Sequence, residues 1–259
     1  MQSLSKPLVI VKAGSSRSSD DSLLKPKKGD FEEWIAHGTG HSLSNFLILE
    51  AYHSPEFPEP EDCAGVIITG SHSYVTAKAA WSENLASWIT RLLDARTPLL
   101  GICFGHQIIA HAAGGMVGFN PMGINIGSID IHREAQGLDD PLLGDLPPTF
   151  QSYVAHLQGV LKAPDSAVVL ASDDKGSIQA MRIGDHAWGL QFHPEFNRTI
   201  MNAYIDWQHG AVADSGQNGE EVKSRVVECE RARALLARFV EMALGGVKKV
   251  GSDELFYGT

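Results

Sequence analysis

Pro98-Leu99-Leu100-Gly101-Ile102-Cys103-Phe104-Gly105-His106-Gln107 is the stretch on which the fold turns. Its first half is a short apolar run of strand type. Its second half opens an apolar helix, Phe104 to Ala113, closed by Gly114-Gly115. Between them stands G-x-C-x-G. A sharp strand-to-helix turn of this kind lifts its central residue out of the sheet, and glycines two residues to either side give the clearance. Cys103 then sits at a helix N-terminus, where the dipole and unpaired N–H groups favour a thiolate. The N–H of Phe104 is free to meet a developing oxyanion. By itself the string also fits a small buried cysteine; its partners decide between the two.

Outward from this turn, Leu8 to Val11, Asn45 to Ala51 and Gly65 to Thr69 read as further buried strands. Ala77 to Ala95 reads as a helix, with Trp81, Leu85, Trp88, Ile89 and Leu92 on one face. Continuous apolar strands alternating with helices predict a parallel sheet covered on both faces. From Met116 to about Arg133, and from Ala167 to Phe192, the runs alternate, which predicts mixed or antiparallel strands. Asn197 to His209 reads as a helix, and Gly219 to Leu244 as a longer one with Asn218 as N-cap. The expected fold class is α/β, a mixed and mostly parallel central sheet flanked by helices. The expected division is a domain over 1–210 and a C-terminal helical extension and tail over 211–259, Gly245 to Thr259 being polar. Lys25 to Gly29 reads as a loop.

A second stretch, Gly189-Leu190-Gln191-Phe192-His193-Pro194-Glu195, supplies what a nucleophilic cysteine needs. His193 follows an alternating strand, and strand ends are where sites form in α/β sheets. An imidazole takes the thiol proton and returns it to a leaving amine. A carboxylate, here Glu195, fixes the imidazole tautomer. Pro194 restricts both its own backbone and that of His193. In isolation the string would fit a strand-ending His-Pro turn with a surface glutamate; beside the cysteine turn it reads as a triad of Cys103, His193 and Glu195.

Composition narrows the function classes. Among 259 residues, 21 are basic and 31 acidic, a formal net charge of −10. That field disfavours nucleic-acid binding and adhesion to anionic membranes. The first apolar run is too short for a signal segment or a membrane span. Three cysteines, Cys63, Cys103 and Cys229, show no paired spacing, so neither a disulfide framework nor a zinc site is expected. A reducing cytoplasm is the expected location.

Taken together, the stretches over 98–107, Gly114-Gly115 and 189–195 resemble the class I glutamine amidotransferases, most closely the amidotransferase domain of GMP synthetases and its free-standing relatives. The resemblance implies the flavodoxin-like amidotransferase fold and a Cys103–His193–Glu195 triad. It places Gln107 against bound glutamine, and His156 in a substrate-lining segment. The family's oxyanion loop, usually Gly-Gly-Pro, falls on Gly70-Ser71-His72, so Ser71 and Phe104 are the implied N–H donors. Serine and histidine tolerate positive φ less well than glycine, which predicts a loop of different shape.

The implied reaction is hydrolysis of L-glutamine through a γ-glutamyl thioester, with no metal or organic cofactor. The ammonia would pass to a separate synthetase or acceptor subunit, since no Gly-rich pyrophosphate loop of a synthetase domain is present. A γ-glutamyl peptidase would use the same triad. A silent regulatory subunit and an unrelated α/β cysteine protein are the remaining readings. His106, His111 and His132 read as structural or exposed.

Overall fold

The computed structural model describes residues 6–16, 29–53 and 55–245. The loop read over Lys25 to Lys28 and the tail after Gly245 lie outside the described residues. Five parallel strands form one half of the main sheet: β1 (Leu8–Lys12), β2 (Phe46–Glu50), β3 (Gly65–Ile68), β4 (Leu99–Ile102) and β11 (Ala187–Leu190). Its antiparallel half contains β6 (Asn125–Arg133), β7 (Thr149–His156), β9 (Ala167–Asp173) and β10 (Ile178–Ile183). Among the described residues these nine strands run in the order β2-β1-β3-β4-β11-β10-β9-β6-β7. A separate ribbon pairs β5 (Met116–Phe119) with β8 (Gln158–Lys162).

The alternation of Trp188, Leu190 and Phe192 predicts a mixed or antiparallel strand, and a mixed one is found. β11 is the junction: parallel to β4 on one side, antiparallel to β10 on the other, and buried throughout. β7 and β8 had no counterpart in the sequence reading. The helix α1 (Phe31–Thr39) had none either, although Asp30 and Glu33 form a capping box at its start and Gly40 ends it at φ 76°.

Successive strand residues point to opposite faces. Val9, Val11, Val66, Ile68 and Leu99 pack under α2 (Ala80–Asp94) and α3 (Phe104–Ala112). Leu8, Ile10, Ile67, Leu100 and Trp188 pack under α1 and α8 (Glu230–Ala243). The stretch read as one helix over 219–244 is two, α7 (Gly219–Ser224) and α8. The linker between them is tied to the sheet, with Tyr153 Oη donating to the Val227 carbonyl at 2.7 Å and Val227 N donating to Ser128 Oγ at 3.2 Å.

Leu235, Leu236, Phe239 and Val240 of α8 are buried, and Phe239 meets Trp188 edge to face. Burial of each such side chain is worth about 1.5–3 kcal/mol. Four of them together approach the whole stability of a typical domain, about 5–15 kcal/mol. α8 is therefore part of the core of the sheet. Residue 210 lies within α6 (His209–Asp214), which follows α5 (Arg198–Trp207). No helix among the described residues is long and apolar enough to cross a membrane.

Candidate active site

β4 delivers Cys103 into a backbone conformation that side chains rarely occupy, φ 52° and ψ −100°. The flanking glycines make this turn sterically feasible. A Cβ on Gly101 would lie 2.3 Å from the Gly105 carbonyl oxygen, and one on Gly105 would lie 2.4 Å from that of Ile68. Phe104, the first residue of α3, turns its ring into the core and stacks on Trp81 at 5.5 Å. Its N–H precedes the first intrahelical acceptor, as at any helix start.

The neighbouring strand delivers His193. β11 ends at Leu190; three residues on, His193 N donates to the Tyr153 carbonyl at 2.8 Å, an isolated bridge to β7. His193 Nδ1 donates to Glu195 Oε1 at 2.7 Å, and both side chains are buried. This bond fixes the tautomer and leaves Nε2 as the unprotonated nitrogen of a neutral ring. Burial works against a charge on His193, but the charges of Glu195 and Cys103 outweigh it and hold the imidazole above its ordinary range. Phe196 stacks on the His193 ring at 4.0 Å and 18°. Phe31, Trp34 and Tyr204 close in behind Phe196.

β3 ends in the loop Thr69 to Ser73. Gly70, Ser71 and His72 do not have positive φ, so the strain expected from serine and histidine does not arise. Gly70 sits in tight quarters instead: a Cβ there would lie 3.2 Å from His193 Cε1 and 3.3 Å from Phe31. Gly14 backs the loop in the same way, since its Cβ would stand 2.5 Å from Ser71 Oγ. Thr69 Oγ1 accepts from Ala13 N and donates to the Gly70 carbonyl.

Cys103 opens onto a cavity of about 300 Å³ whose walls include Ser71, His72, Gln107, His156 and Trp207. Gln107 is buried, and its amide nitrogen donates to the Gln158 carbonyl at 2.8 Å and to Gln191 Oε1 at 3.1 Å. His156 Nδ1 donates to the Gln158 carbonyl at 2.8 Å, which makes Nε2 the acceptor of a neutral ring. Burial pushes His156 down to about 4. It also forms part of the wall of a second cavity of about 360 Å³, lined by Asn120, Asn125, Lys175 and Gln191 and by none of the triad.

His106, His111 and His132 are not among the residues lining the Cys103 cavity. His106 is fully buried against Gly189, His111 meets Glu83 at 3.2 Å, and His132 meets Asp174 at 2.7 Å. The sequence reading missed the wall that α5 contributes. Trp207 lines the cavity and Tyr204 reaches His72, a placement that no local pattern encodes. Among the described residues, no cluster of three or more histidine, cysteine or acidic side chains is arranged to hold a metal ion.

Comparison with known proteins agrees with this architecture. The family model described as glutamine amidotransferase class-I matches residues 28–207. Gamma-glutamyl peptidase 5 of Arabidopsis thaliana is 34% identical over 194 residues, covering 73% of this chain and 77% of that protein. A glutamine-hydrolyzing GMP synthase of Aeropyrum pernix is 32% identical over 186 residues, covering 71% of this chain but 35% of that longer protein. The crystal structure of a glutamine amidotransferase from Methylobacillus flagellatus superposes with a TM-score of 0.71 at 20% identity, covering 97% of this chain and 99% of that one. The nucleophile turn, the paired strand ends and these likenesses converge: the chain belongs to the class I glutamine amidotransferases.

Proposed function

We propose that this protein hydrolyses the amide bond of a γ-glutamyl substrate, with L-glutamine as the minimal one, through Cys103, His193 and Glu195. One observation carries the reading. His193, bonded through Nδ1 to Glu195 at 2.7 Å, follows the strand that pairs with the one delivering Cys103, whose amide nitrogen donates to the Leu190 carbonyl at 2.8 Å and whose turn is strained.

The Cys103 sulfur attacks the γ-carbonyl carbon, forming a C–S bond and a tetrahedral oxyanion. The N–H groups of Ser71 and Phe104 are the donors assigned to that oxygen; loss of one such donor typically costs about 10²–10³ in rate. Collapse breaks the C–N bond, and His193 protonates the leaving amine. Water then gives a proton to His193 and attacks the thioester. The C–S bond breaks and glutamate departs. The neutral Gln107 and His156 line the cavity around the glutamyl group. A separate synthetase or acceptor subunit takes the ammonia if the substrate is glutamine. The three free cysteines fit a reducing compartment such as the cytoplasm.

A second reading, cleavage of γ-glutamyl peptides, is favoured by the wall beyond the nucleophile. Tyr74 and Trp207 line the cavity and offer apolar surface to a leaving group larger than ammonia. The relatives named gamma-glutamyl peptidases support the same reading. Ammonia release from L-glutamine, run beside cleavage of a γ-glutamyl peptide and beside Cys103→Ala, tests both. Cysteine-dependent ammonia release supports glutaminase chemistry. Cysteine-dependent peptide cleavage without ammonia supports the peptidase. Turnover that survives Cys103→Ala overturns the reading.

A further inference from the structure

The loop after β3 carries Ser71 and His72 where the family usually has a second glycine and a proline, and it is not left to itself. His72 Nε2 is hydrogen-bonded to Tyr204 Oη at 3.1 Å. The His72 ring lies on Trp207 at 4.2 Å and 35°, and meets Phe31 edge to face at 6.2 Å. Two of these three partners belong to α5. That helix starts immediately after the triad, with Asn197 capping it by accepting from Ile200 N at 2.9 Å. Just before its N-cap, Phe196 touches both the His193 ring at 4.0 Å and the Tyr204 ring at 4.9 Å. A single rigid helix is therefore attached at one end to the base and at the other, through His72, to the loop that carries Ser71.

We propose that His72 is a positioning residue: by anchoring to Tyr204 and Trp207 it holds the Ser71 N–H in register with Cys103. This deepens the function proposed above and rests on it. A side chain fixed on three sides removes the loop's freedom at the residue next to the donor. An oxyanion donor contributes fully only when it is preorganised.

The test compares two reactions of Cys103. Hydrolysis of γ-glutamyl-p-nitroanilide passes through an oxyanion. Alkylation by iodoacetamide displaces iodide at a saturated carbon and forms none. In His72→Ala, kcat is expected to fall by about 10²-fold, within reach of losing one donor. KM and the alkylation rate should stay within about twofold. Tyr204→Phe keeps the ring and removes one hydrogen bond, so kcat should fall about fivefold, the worth of one such bond. His72→Phe keeps the stacking and should lie between the two. Melting temperatures show that each variant is folded.

An unchanged kcat in His72→Ala and Tyr204→Phe overturns the positioning role. A parallel loss of kcat and alkylation does so as well, because it means general damage to the nucleophile. An unmodified protein that turns over neither L-glutamine nor the anilide removes the underlying function, and the role of His72 with it.

Discussion

The Cys103 amide nitrogen donates to the Leu190 carbonyl at 2.8 Å, so the nucleophile turn is hydrogen-bonded to the strand that delivers His193. β4 and β11 are parallel neighbours with Ile102 opposite Leu190. Their shared register places cysteine and histidine at the same carboxyl edge of the sheet, and the bond from His193 N to the Tyr153 carbonyl fixes the histidine beyond the end of β11. Sites built on strand ends in this way hold their geometry without reorganisation during the reaction.

Replacing the nucleophile separates chemistry from strain. Both Cys103→Ala and Cys103→Gly are expected to lower turnover of a γ-glutamyl substrate by at least about 10⁴-fold. Their stabilities should differ in the opposite sense to their size. Glycine relieves the positive φ that alanine retains, so Cys103→Gly should unfold at higher urea, by about 1–2 kcal/mol. Equal urea midpoints would show that the turn stores no such strain.

Glu195→Gln keeps the shape of the carboxylate and removes its charge. Turnover should fall by about 10³–10⁴-fold, as when an orienting carboxylate becomes an amide and the wrong tautomer is held. The imidazolium would lose a stabilising neighbour, so the His193 titration should move to lower pH. An NMR titration of the histidine ring checks the direction; an unmoved midpoint would mean that Glu195 only packs.

The two glycines around the nucleophile should be intolerant of any side chain. Gly101→Ala and Gly105→Ala drive a methyl group to within 2.3 and 2.4 Å of a backbone oxygen. Each is expected to cost about 1–3 kcal/mol or more in urea unfolding. Gly210→Ala is the control: it has open space around it, lies within α6 and should be neutral or stabilising by about 0.5–1 kcal/mol.

Stability should fall on acidification well before the carboxylates titrate. Burial lowers His72 and His156 from 6.5 to about 4, and His106 to about 3. Below pH 6.5 the unfolded chain binds protons that the folded protein refuses, so stability declines as pH falls through this window. His193 acts in the opposite sense. Its raised value means a contribution that is complete below 6.5 and lost as pH rises above it. Thermal melts from pH 4.5 to 9 are expected to peak near neutrality. A melting temperature that stays level between pH 7 and 4.5 would contradict the buried neutral histidines.

Local sequence was enough to read the four apolar strands β1 to β4 and the helices α2, α3 and α5. Each is a contiguous run whose periodicity or punctuation declares its type. The paired motifs over 101–105 and 189–195 suggested a nucleophile, a base and an orienting carboxylate, because that chemistry requires few residue types at tight spacing. β7, β8 and the break between α7 and α8 were not legible. The last depends on Tyr153 and Ser128 binding the Val227 backbone from elsewhere in the chain. The role of β11 as the junction was hidden too, since strand direction is set by neighbours and not by alternation.

What the sequence determined by itself was the turn at Cys103: glycines at 101 and 105 leave the chain room for a backbone conformation that larger residues would block. What only the tertiary structure decided was the company of Ser71. The packing of α5 brings Tyr204 and Trp207 against His72 from more than a hundred residues away, and a contact made across such a separation leaves no period or motif in the sequence to read.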